Sequence, residues 1–455
     1  MKIVILGAGK VGYELAKVLS LEKNDVSLVD SSLDVLNIAS NKLDVKTVYG
    51  HAADINILKE ADIEQTDILI AVTSSDEVNI IACQLANILF NVSTKIARIN
   101  NQSYFLNRNL FDSDKLNIDF VVSPSSEISK SVKRNISIPG ALDVIPCLNN
   151  KLRIIGVICK KGAPIVDIKL KYLSTLDKDS LMAILYLKNQ KGNVIFPGKN
   201  DIIHAGDEVY FICPTEKVSE VMTFFGHTFS EESNIILIGG NNICQNIVST
   251  ISNPAINIKI IEKDVELAEL LSENINNIEV LNGDPLNPEI LNSANISDSG
   301  IVISLTGDDK INILSCLLAK KLGAKRVSAI LNDSSYADLL YSLGINSILN
   351  SRASSISKIL HYLKKGNIEE VTEFNNEIEV VAIEVSDNSH AIGSLSDDII
   401  SKNEIYISAI IRDDNIFIMP KKMLIASGDK ILFTLTKRSL DKILKLFQEK
   451  PKYLI

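Results

Sequence analysis

Residues 2–12 read KIVILGAGKVG, and the order of residue types in that stretch decides the fold. Lys2–Leu6 is a short apolar run, glycines at 7, 9 and 12 punctuate the segment after it, and an amphipathic stretch continues to about Leu21. A second apolar run, Asp25–Val29, ends in Asp30. Strand, glycine loop, helix, strand and acid is the order of a dinucleotide-binding βαβ unit. Each glycine has a physical reason. Gly7 permits a tight turn, Gly9 lets the backbone approach a pyrophosphate, and Gly12 lets the helix pack closely on the strand. The helix start, reached through Ala8, Lys10 and Val11, offers free N–H groups and a positive dipole end to phosphates. Asp30, about eighteen residues beyond Gly12, is placed to accept hydrogen bonds from ribose hydroxyls. A carboxylate there repels a 2′-phosphate, which favours NAD or ATP over NADP.

The alternation continues with strand-like runs at Val45–Tyr49, Ile68–Val72, Lys95–Ile99 and Asp119–Val122, separated by helical segments. Such alternation predicts a doubly wound parallel sheet with strand order 3-2-1-4-5-6. Thr73 and Ser74 fall just past the fourth strand, at the edge where ligands bind in such sheets. Their hydroxyls either contact a ribose or phosphate or cap the helix starting near Asp76. Arg98 is a charge inside an apolar run, so it calls for a carboxylate or a bound phosphate as partner.

The second half restates the first at an offset near 232 residues. Asn234–Ile238 leads into Gly239-Gly240-Asn241-Asn242-Ile243-Cys244, and Lys259–Ile261 leads into Glu262, placed as Asp30 is. Gly283-Asp284 falls where Gly50-His51 falls; Thr306 and Asn312 mirror Thr73 and Asn79; Tyr336 mirrors Tyr104. The second loop differs in chemistry. Asn241 and Cys244 replace the second and third glycines, which sets the helix further out, and Ile330 stands where Arg98 stood. Phosphate binding through Gly239, Gly240, Asn241, Asn242, Ile243, Glu262 and Thr306 is therefore expected to be weaker or reshaped.

After each βα unit comes a region of short strands and turns. Ile154–Cys159, Ser180–Leu187 and Glu208–Ile212 are repeated by Val380–Val385, Ile405–Arg412 and Lys430–Thr436. Gly206-Asp207 and Gly428-Asp429, each before a final apolar strand, suggest hairpins. The expected fold is α/β: two tandem Rossmann-like doubly wound parallel sheets, each followed by a small α+β domain. The expected domains are 1–123, 137–226, 233–350 and 368–453, with linkers near 124–137, 226–233 and 350–370 and capping helices over Glu216–Phe225 and Arg438–Phe447.

Composition narrows the function classes. At 455 residues the chain is too long for one ordinary domain, and 46% apolar residues suffice for several cores. A net charge of −9 argues against a general nucleic-acid binder. The six cysteines are scattered without a Cys-x-x-Cys pair, so neither zinc site nor disulfide framework is expected, and a reducing cytosol is the natural setting. The apolar run after Lys2 stops at Gly7, too soon for a signal peptide, and no run approaches the ~18 residues needed to span a bilayer. Any membrane role falls to a partner.

The run Lys2–Gly12, Asp30, the segment AVTSSDEVN (residues 71–79) and Ala97-Arg98-Ile99 resemble the RCK/KTN domain family, which regulates the conductance of potassium channels and transporters. The tandem arrangement, covering essentially the whole chain, resembles the peripheral regulatory subunits of the bacterial Trk potassium uptake system. That resemblance implies NAD(H) binding, with ATP or ADP as further ligands, at Gly7 to Gly12, Asp30, Thr73, Ser74 and Arg98. It also implies a homo-oligomer, dimer or tetrameric ring, docked at the inner face of the cell membrane on a membrane-embedded, TrkH-like potassium transporter subunit. His51 departs from the family, which usually has Asp after this glycine. Two rivals are weaker. An NAD-dependent dehydrogenase needs a proton donor or acceptor beside the nicotinamide, and the five histidines (His51, His204, His227, His361, His390) are dispersed with no convergent partner. A redox-sensing repressor needs a winged helix–turn–helix, commonly ahead of the glycine loop, where residues 1–6 leave no room.

Overall fold

A computed structural model describes residues 1–447 apart from 106–108, 174–176, 178, 180, 190–192, 229–233, 252–255, 276–277, 337–338, 341–342, 344, 346, 364–367, 374–377 and 401–403. The first sheet comprises β1 (Lys2–Leu6), β2 (Asp25–Asp30), β3 (Lys46–Tyr49), β4 (Ile68–Ala71), β5 (Thr94–Arg98) and β6 (Phe120–Val122). All neighbours run parallel, in the order β3-β2-β1-β4-β5-β6 anticipated from the alternation. Its helices are α1 (Lys10–Leu21), α2 (Leu33–Lys42), α3 (Ile55–Glu60), α4 (Asp76–Phe90) and α5 (Pro124–Ser137). On α1 the buried residues Val11, Leu15, Ala16 and Leu19 recur at helical spacing, giving the single apolar face that packs on the strands.

An antiparallel sheet comes next, formed by β7 (Ala141–Cys147), β8 (Leu152–Ile158), β9 (Ala183–Lys188), β10 (Val194–Ile195) and β11 (Glu208–Pro214), in the order β10-β9-β11-β8-β7 and succeeded by α6 (Val218–Phe224). The second parallel sheet has β12 (Asn234–Ile238), β13 (Asn257–Glu262), β14 (Ile278–Asn282), β15 (Ile301–Ser304), β16 (Val327–Leu331) and β17 (Ser347–Asn350), ordered β14-β13-β12-β15-β16-β17. Its helices are α7 (Asn242–Thr250), α8 (Val265–Asn274), α9 (Pro288–Ser293), α10 (Asp309–Lys321) and α11 (Ser351–Leu363). A second antiparallel sheet then repeats the first: β18 (Ile368–Glu373), β19 (Ile378–Glu384), β20 (Ile405–Arg412), β21 (Asn415–Ile418) and β22 (Lys430–Thr436), ordered β18-β19-β22-β20-β21, with α12 (Ser396–Ile399) and α13 (Leu440–Phe447).

The halves do not fold one after the other. Like pairs with like. One compact unit combines Met1–Lys130 with Asn234–Leu363, and the other combines Ser131–Ser233 with Lys364–Ile455. In the first unit, α11 of the second half crosses onto the first half: Ile359 is fully buried in the core around Ile3, Leu15 and Leu28. Tyr362 stacks on Phe120 of β6 at 4.4 Å, and Lys358 pairs with Glu127 at 3.2 Å. Burying one isoleucine stabilises by about 1.5–3 kcal/mol, so α11 is firmly seated. In the second unit the two antiparallel sheets share one core, with Leu152, Ile154, Leu185 and Ile212 against Val380, Ala382, Ile411 and Leu432.

Three sequence expectations need correction. Residues 124–137 join the two compact units, which divide after Lys130, but as helix α5 and not as an irregular linker, because Ile128, Val132 and Ile136 recur every four residues and all are buried. Residues 351–363 of the expected 350–370 linker are likewise helix, while 229–233 of the linker near 226–233, 364–367, Ser180 and the terminal residues 448–453 lie outside the described residues. Gly206-Asp207 and Gly428-Asp429 do not close hairpins with the strands before them, since β11 pairs with β8 and β9 and β22 pairs with β19 and β20. Instead, each glycine sits at positive φ (89° and 79°) and each aspartate accepts a backbone N–H, from His204 and Ala426 (both 2.8 Å). The dipeptide thus launches a strand into the middle of its sheet. The short strands β7, β10, β18 and β21 escaped the sequence pattern, being brief or mixed in polarity.

All six cysteines are buried and free. Burial pushes the thiols of Cys83, Cys159, Cys213, Cys244 and Cys316 up to about 12, so almost no thiolate exists near neutral pH. A thiol reagent at pH 8 is expected to leave the native chain essentially unlabelled and to titrate all six after denaturation. Rapid native labelling would show that these cores open.

Candidate functional site

The first glycine loop is shaped by contacts a side chain would destroy. Gly7 has φ 101°, its N–H donates to Val29 O at 2.8 Å, and an added Cβ would lie 3.0 Å from Thr73 Cα. A Cβ at Gly12 would lie 1.8 Å from the Gly7 carbonyl oxygen. Gly9 is the opposite case. Nothing lies within 4 Å of where its Cβ would be, and as the N-cap of α1 it provides no side-chain cap. The opening N–H groups of α1 are therefore available to an anion.

Asp30 does more than the sequence pattern foretold. Its carboxylate accepts the Ala8 N–H at 2.6 Å and the Ser32 N–H at 2.8 Å, tying the glycine loop to the end of β2. A carboxylate has roughly four lone-pair sites, so acceptor capacity remains for ribose hydroxyls. Across the cleft, Asn79 fixes the exit of β4. Its Oδ1 accepts Thr73 N–H at 2.9 Å and Thr73 Oγ1 at 2.7 Å, and its Nδ2 donates to Arg98 O at 2.9 Å. Thr73 is thus turned inward, while Ser74 is exposed with no partner among the described residues. Neither caps α4. Ser75 does, its hydroxyl accepting Val78 N–H at 3.2 Å, because it is the residue immediately before the first helical turn.

Arg98, at the end of β5, is half-buried, and its Nε is buried with no hydrogen-bond partner. The nearby carboxylate, Asp76, is committed to the backbone N–H groups of Asn100 (2.9 Å) and Asn101 (2.7 Å). Desolvation lowers the guanidinium's pKa, Asp76 opposes that shift, and Arg352 at the start of α11 adds to it. Arg98 is a half-buried cation whose Nε has no acceptor.

The second loop is built differently. Asn241 caps α7 with its own side chain, Oδ1 accepting the N–H groups of Ile243 (2.9 Å) and Cys244 (3.3 Å). The groups left open at Gly9 are thus occupied internally. Gly239 keeps its positive φ of 104°, and Glu262 accepts from Gly240 N and from Asp264 N (2.8 Å), as Asp30 does from Ala8 and Ser32. Thr306 is clasped by Asn312 as Thr73 is by Asn79. At the Arg98 position, Ile330 is buried. Asn242 begins the helix. The first loop meets the segment that follows β16 in the second copy through Lys10, which pairs with Asp333 at 3.0 Å. Hydrogen bonds from Ser335 and from Lys10 hold the Asp333 carboxyl well below the usual range. His51 preserves the turn that its family departure called into question: its Nδ1 accepts Ala53 N–H at 3.3 Å, where Asp284 in the second copy accepts Leu286 N–H at 2.9 Å.

The same loops and sheets recur in known proteins. The TrkA-N domain family matches residues 3–124 and again 235–351, and the TrkA-C domain family matches 154–226. A Trk system potassium uptake protein TrkA from Azorhizobium caulinodans is 37% identical over 453 residues, 98% of this chain and 99% of that one. The chain belongs to the TrkA family. TrkA proteins from Halomonas elongata and Haemophilus influenzae are 33% and 32% identical over 98% of this chain and 99% of theirs. Among solved structures, the GsuK RCK domain has a TM-score of 0.61 at 17% identity, covering 98% of this chain and 94% of that one. A structure described as the GsuK channel bound to NAD scores the same over 78% of its own chain. At that identity the likeness establishes an RCK-type fold. As a TrkA-family protein the chain is a regulatory component of potassium uptake, not a dehydrogenase. Among the described residues no helix is long and apolar enough to cross a membrane, and no group of three His, Cys, Asp or Glu side chains is arranged to hold a metal.

Proposed function

We propose that this TrkA-family chain senses nucleotides in the cleft of its first parallel sheet and conveys their identity to a membrane-embedded, TrkH-like potassium transporter subunit on the cytoplasmic face. The observation that carries this reading is the contrast between the loops: α1 starts at Gly9 without a side-chain cap, and β5 of the same sheet ends in a half-buried Arg98 whose Nε has no partner, whereas α7 is capped by Asn241 and Ile330 replaces the arginine. Gly7, Ala8, Gly9, Lys10, Val11 and Gly12 would cradle a pyrophosphate, Asp30 would accept from the adenosine ribose, Ser74 would reach the ligand from β4, and Arg98 would take phosphate charge. Thr73 would act through its backbone placement. NAD(H) is the principal ligand in this reading, with ATP or ADP competing for the same cleft. Gly239, Gly240, Asn242, Ile243, Glu262 and Thr306 retain the frame of a second site, which Asn241 closes to pyrophosphate. The four-domain division at 1–123, 137–226, 233–350 and 368–453 is part of this reading, with α5 and α11 as the segments that lead from each nucleotide domain to the small domain after it.

Coupling is thermodynamic. If one geometry of a homo-oligomeric ring, dimer or tetramer, binds a nucleotide tenfold better than another, each site contributes about 1.4 kcal/mol to the switch. NADH and ATP should each raise the thermal midpoint of the full chain, since a ligand at 100 times its Kd stabilises by about 2.7 kcal/mol. Asp30→Ala should lower the ligand-free midpoint, because two backbone N–H groups lose their acceptor, and should also abolish the NADH shift. A wild-type midpoint that neither nucleotide moves would end the sensing proposal.

A further inference from the structure

Lys10, the first residue of α1, is the one cation in the first glycine loop. Its ammonium pairs with the carboxylate of Asp333 at 3.0 Å, and Asp333 belongs to the second half. That carboxylate is firmly placed. The Asp333 N–H donates to Asp309 Oδ2 at 2.9 Å, beside the Asn332 N–H on the same aspartate, and its Oδ1 accepts the Ser335 N–H at 3.0 Å. Asp309 opens α10, so Asp333 is fastened to the body of the second half and Lys10 reaches across to it. The two side chains are 61% and 41% exposed, so the pair can part without leaving a buried charge behind. The repeat shows that the fold does not need this pair. At an offset of 232 residues, Asn242 stands for Lys10 and Asn101 for Asp333. Asn101 sits in the same frame, its N–H donating to Asp76 Oδ2 at 2.7 Å and its Oδ1 accepting the Ser103 N–H at 3.0 Å, yet neither amide carries charge. The opposed charges occur at the loop whose helix start has no side-chain cap.

We propose that Asp333 is a built-in competitor for nucleotide at the first glycine loop: in the ligand-free chain its carboxylate holds Lys10, and a bound pyrophosphate draws Lys10 away, so that ligand in the first half loosens the second half's grip on that loop. This rests on the nucleotide reading of the cleft and adds to it a coupling with the second half. The chemistry is that of a shared cation. An ammonium is a compact point charge on a flexible stem, able to exchange one oxyanion for another, and a lysine at a helix start lies where phosphates gather. Asp333 cannot follow it, being tied to Asp309 and Ser335, so its uncompensated charge opposes the incoming phosphates. Phosphate and carboxylate thus exclude each other at Lys10. By linkage, the factor that the contact costs in nucleotide affinity is the factor by which nucleotide weakens the contact. Neither the nicotinamide nor a third phosphate enters, so NADH and ATP face the same penalty.

The test is titration calorimetry on the full chain with NADH and with ATP, comparing wild type, Asp333→Asn, Lys10→Gln and the double variant. Asp333→Asn is expected to tighten both ligands about two- to fivefold, the scale of an exposed ion pair, and to leave the ligand-free thermal midpoint essentially unchanged. The gain should shrink as salt is raised, because exposed charges are screened. Lys10→Gln should weaken both ligands, and in that background Asp333→Asn should bring a much smaller gain, since no cation is left to compete for. Unchanged or weaker binding by Asp333→Asn, or the same gain with and without Lys10, overturns the competitor and leaves the nucleotide site standing. A wild type that binds neither ligand overturns both.

Discussion

Gly12→Ala is expected to lower the thermal midpoint by on the order of 6 °C or more and to abolish any nucleotide shift. The added methyl would sit 1.8 Å from the Gly7 carbonyl oxygen, far inside van der Waals contact. Neither side can yield cheaply. Gly7 is held by its hydrogen bond to Val29 and by the backbone of Thr73, and the next residue is tied to Asp30. Overpacking of this kind costs about 3 kcal/mol, and for a unit this large each kcal/mol moves the midpoint by about 2 °C. Gly9→Ala is the informative control. Its Cβ would meet nothing within 4 Å, and φ is −60°, which alanine adopts freely. That variant should melt as wild type does while binding NADH at least tenfold more weakly, because the methyl stands where a pyrophosphate must approach. Differential scanning fluorimetry with and without NADH reads both. Normal NADH binding by Gly9→Ala would mean that ligand does not approach over this loop; an unaltered midpoint for Gly12→Ala would mean that α1 repacks without cost.

The second copy shows how the same clash is avoided. Cys244 stands where Gly12 stands, so the start of α7 cannot lie against its turn as α1 does, and Asn241 caps the N–H groups there. The sheet order was legible from the strand–helix alternation through Val122, and the turn at Gly7 and close packing at Gly12 from the glycine spacing, because both are local signals. The differing chemistry of the second loop was legible as substitution, but the side-chain cap was not, since Asn at that position reads equally as a lost glycine. Arg98 was recognisable as needing a partner; that Asp76 is spent elsewhere depends on three-dimensional neighbours. The crossing of α11 onto the first half carried no signal at all. The helix lies in a stretch that resembled a linker, and its residues Ile359 and Tyr362 pack against the core and Phe120 of the first half. The pairing of like domains was equally hidden, since a tandem repeat is compatible with two successive halves.

Asp429→Ala is expected to destabilise the second unit by about 2–3 kcal/mol. Asp429 is fully buried, and its carboxylate accepts Arg412 Nε at 2.6 Å, Arg412 Nη2 at 2.7 Å and Ala426 N–H at 2.8 Å. This fork ties the end of β20 to the turn that launches β22, the middle strand of its sheet. The hydrogen bonds to Asp429 raise the guanidinium's pKa in turn. Removing one member of a buried pair generally costs about 3–5 kcal/mol, but the Arg412 side chain is 32% exposed and can turn to water, which softens the loss. The Ala426 N–H and the cavity left by the carboxylate have no such relief. Asp429→Asn keeps the shape and one acceptor, so it should cost about half as much, a gradient that a general packing defect would not produce. Because the chain contains two compact units, a single midpoint would average over both. Hydrogen exchange resolved to peptides spanning 405–436 is the appropriate measurement, with protection lost there and retained over 2–30. Wild-type protection in the alanine variant would show that β22 is held in place by its apolar core alone and that the buried fork contributes register but no stability.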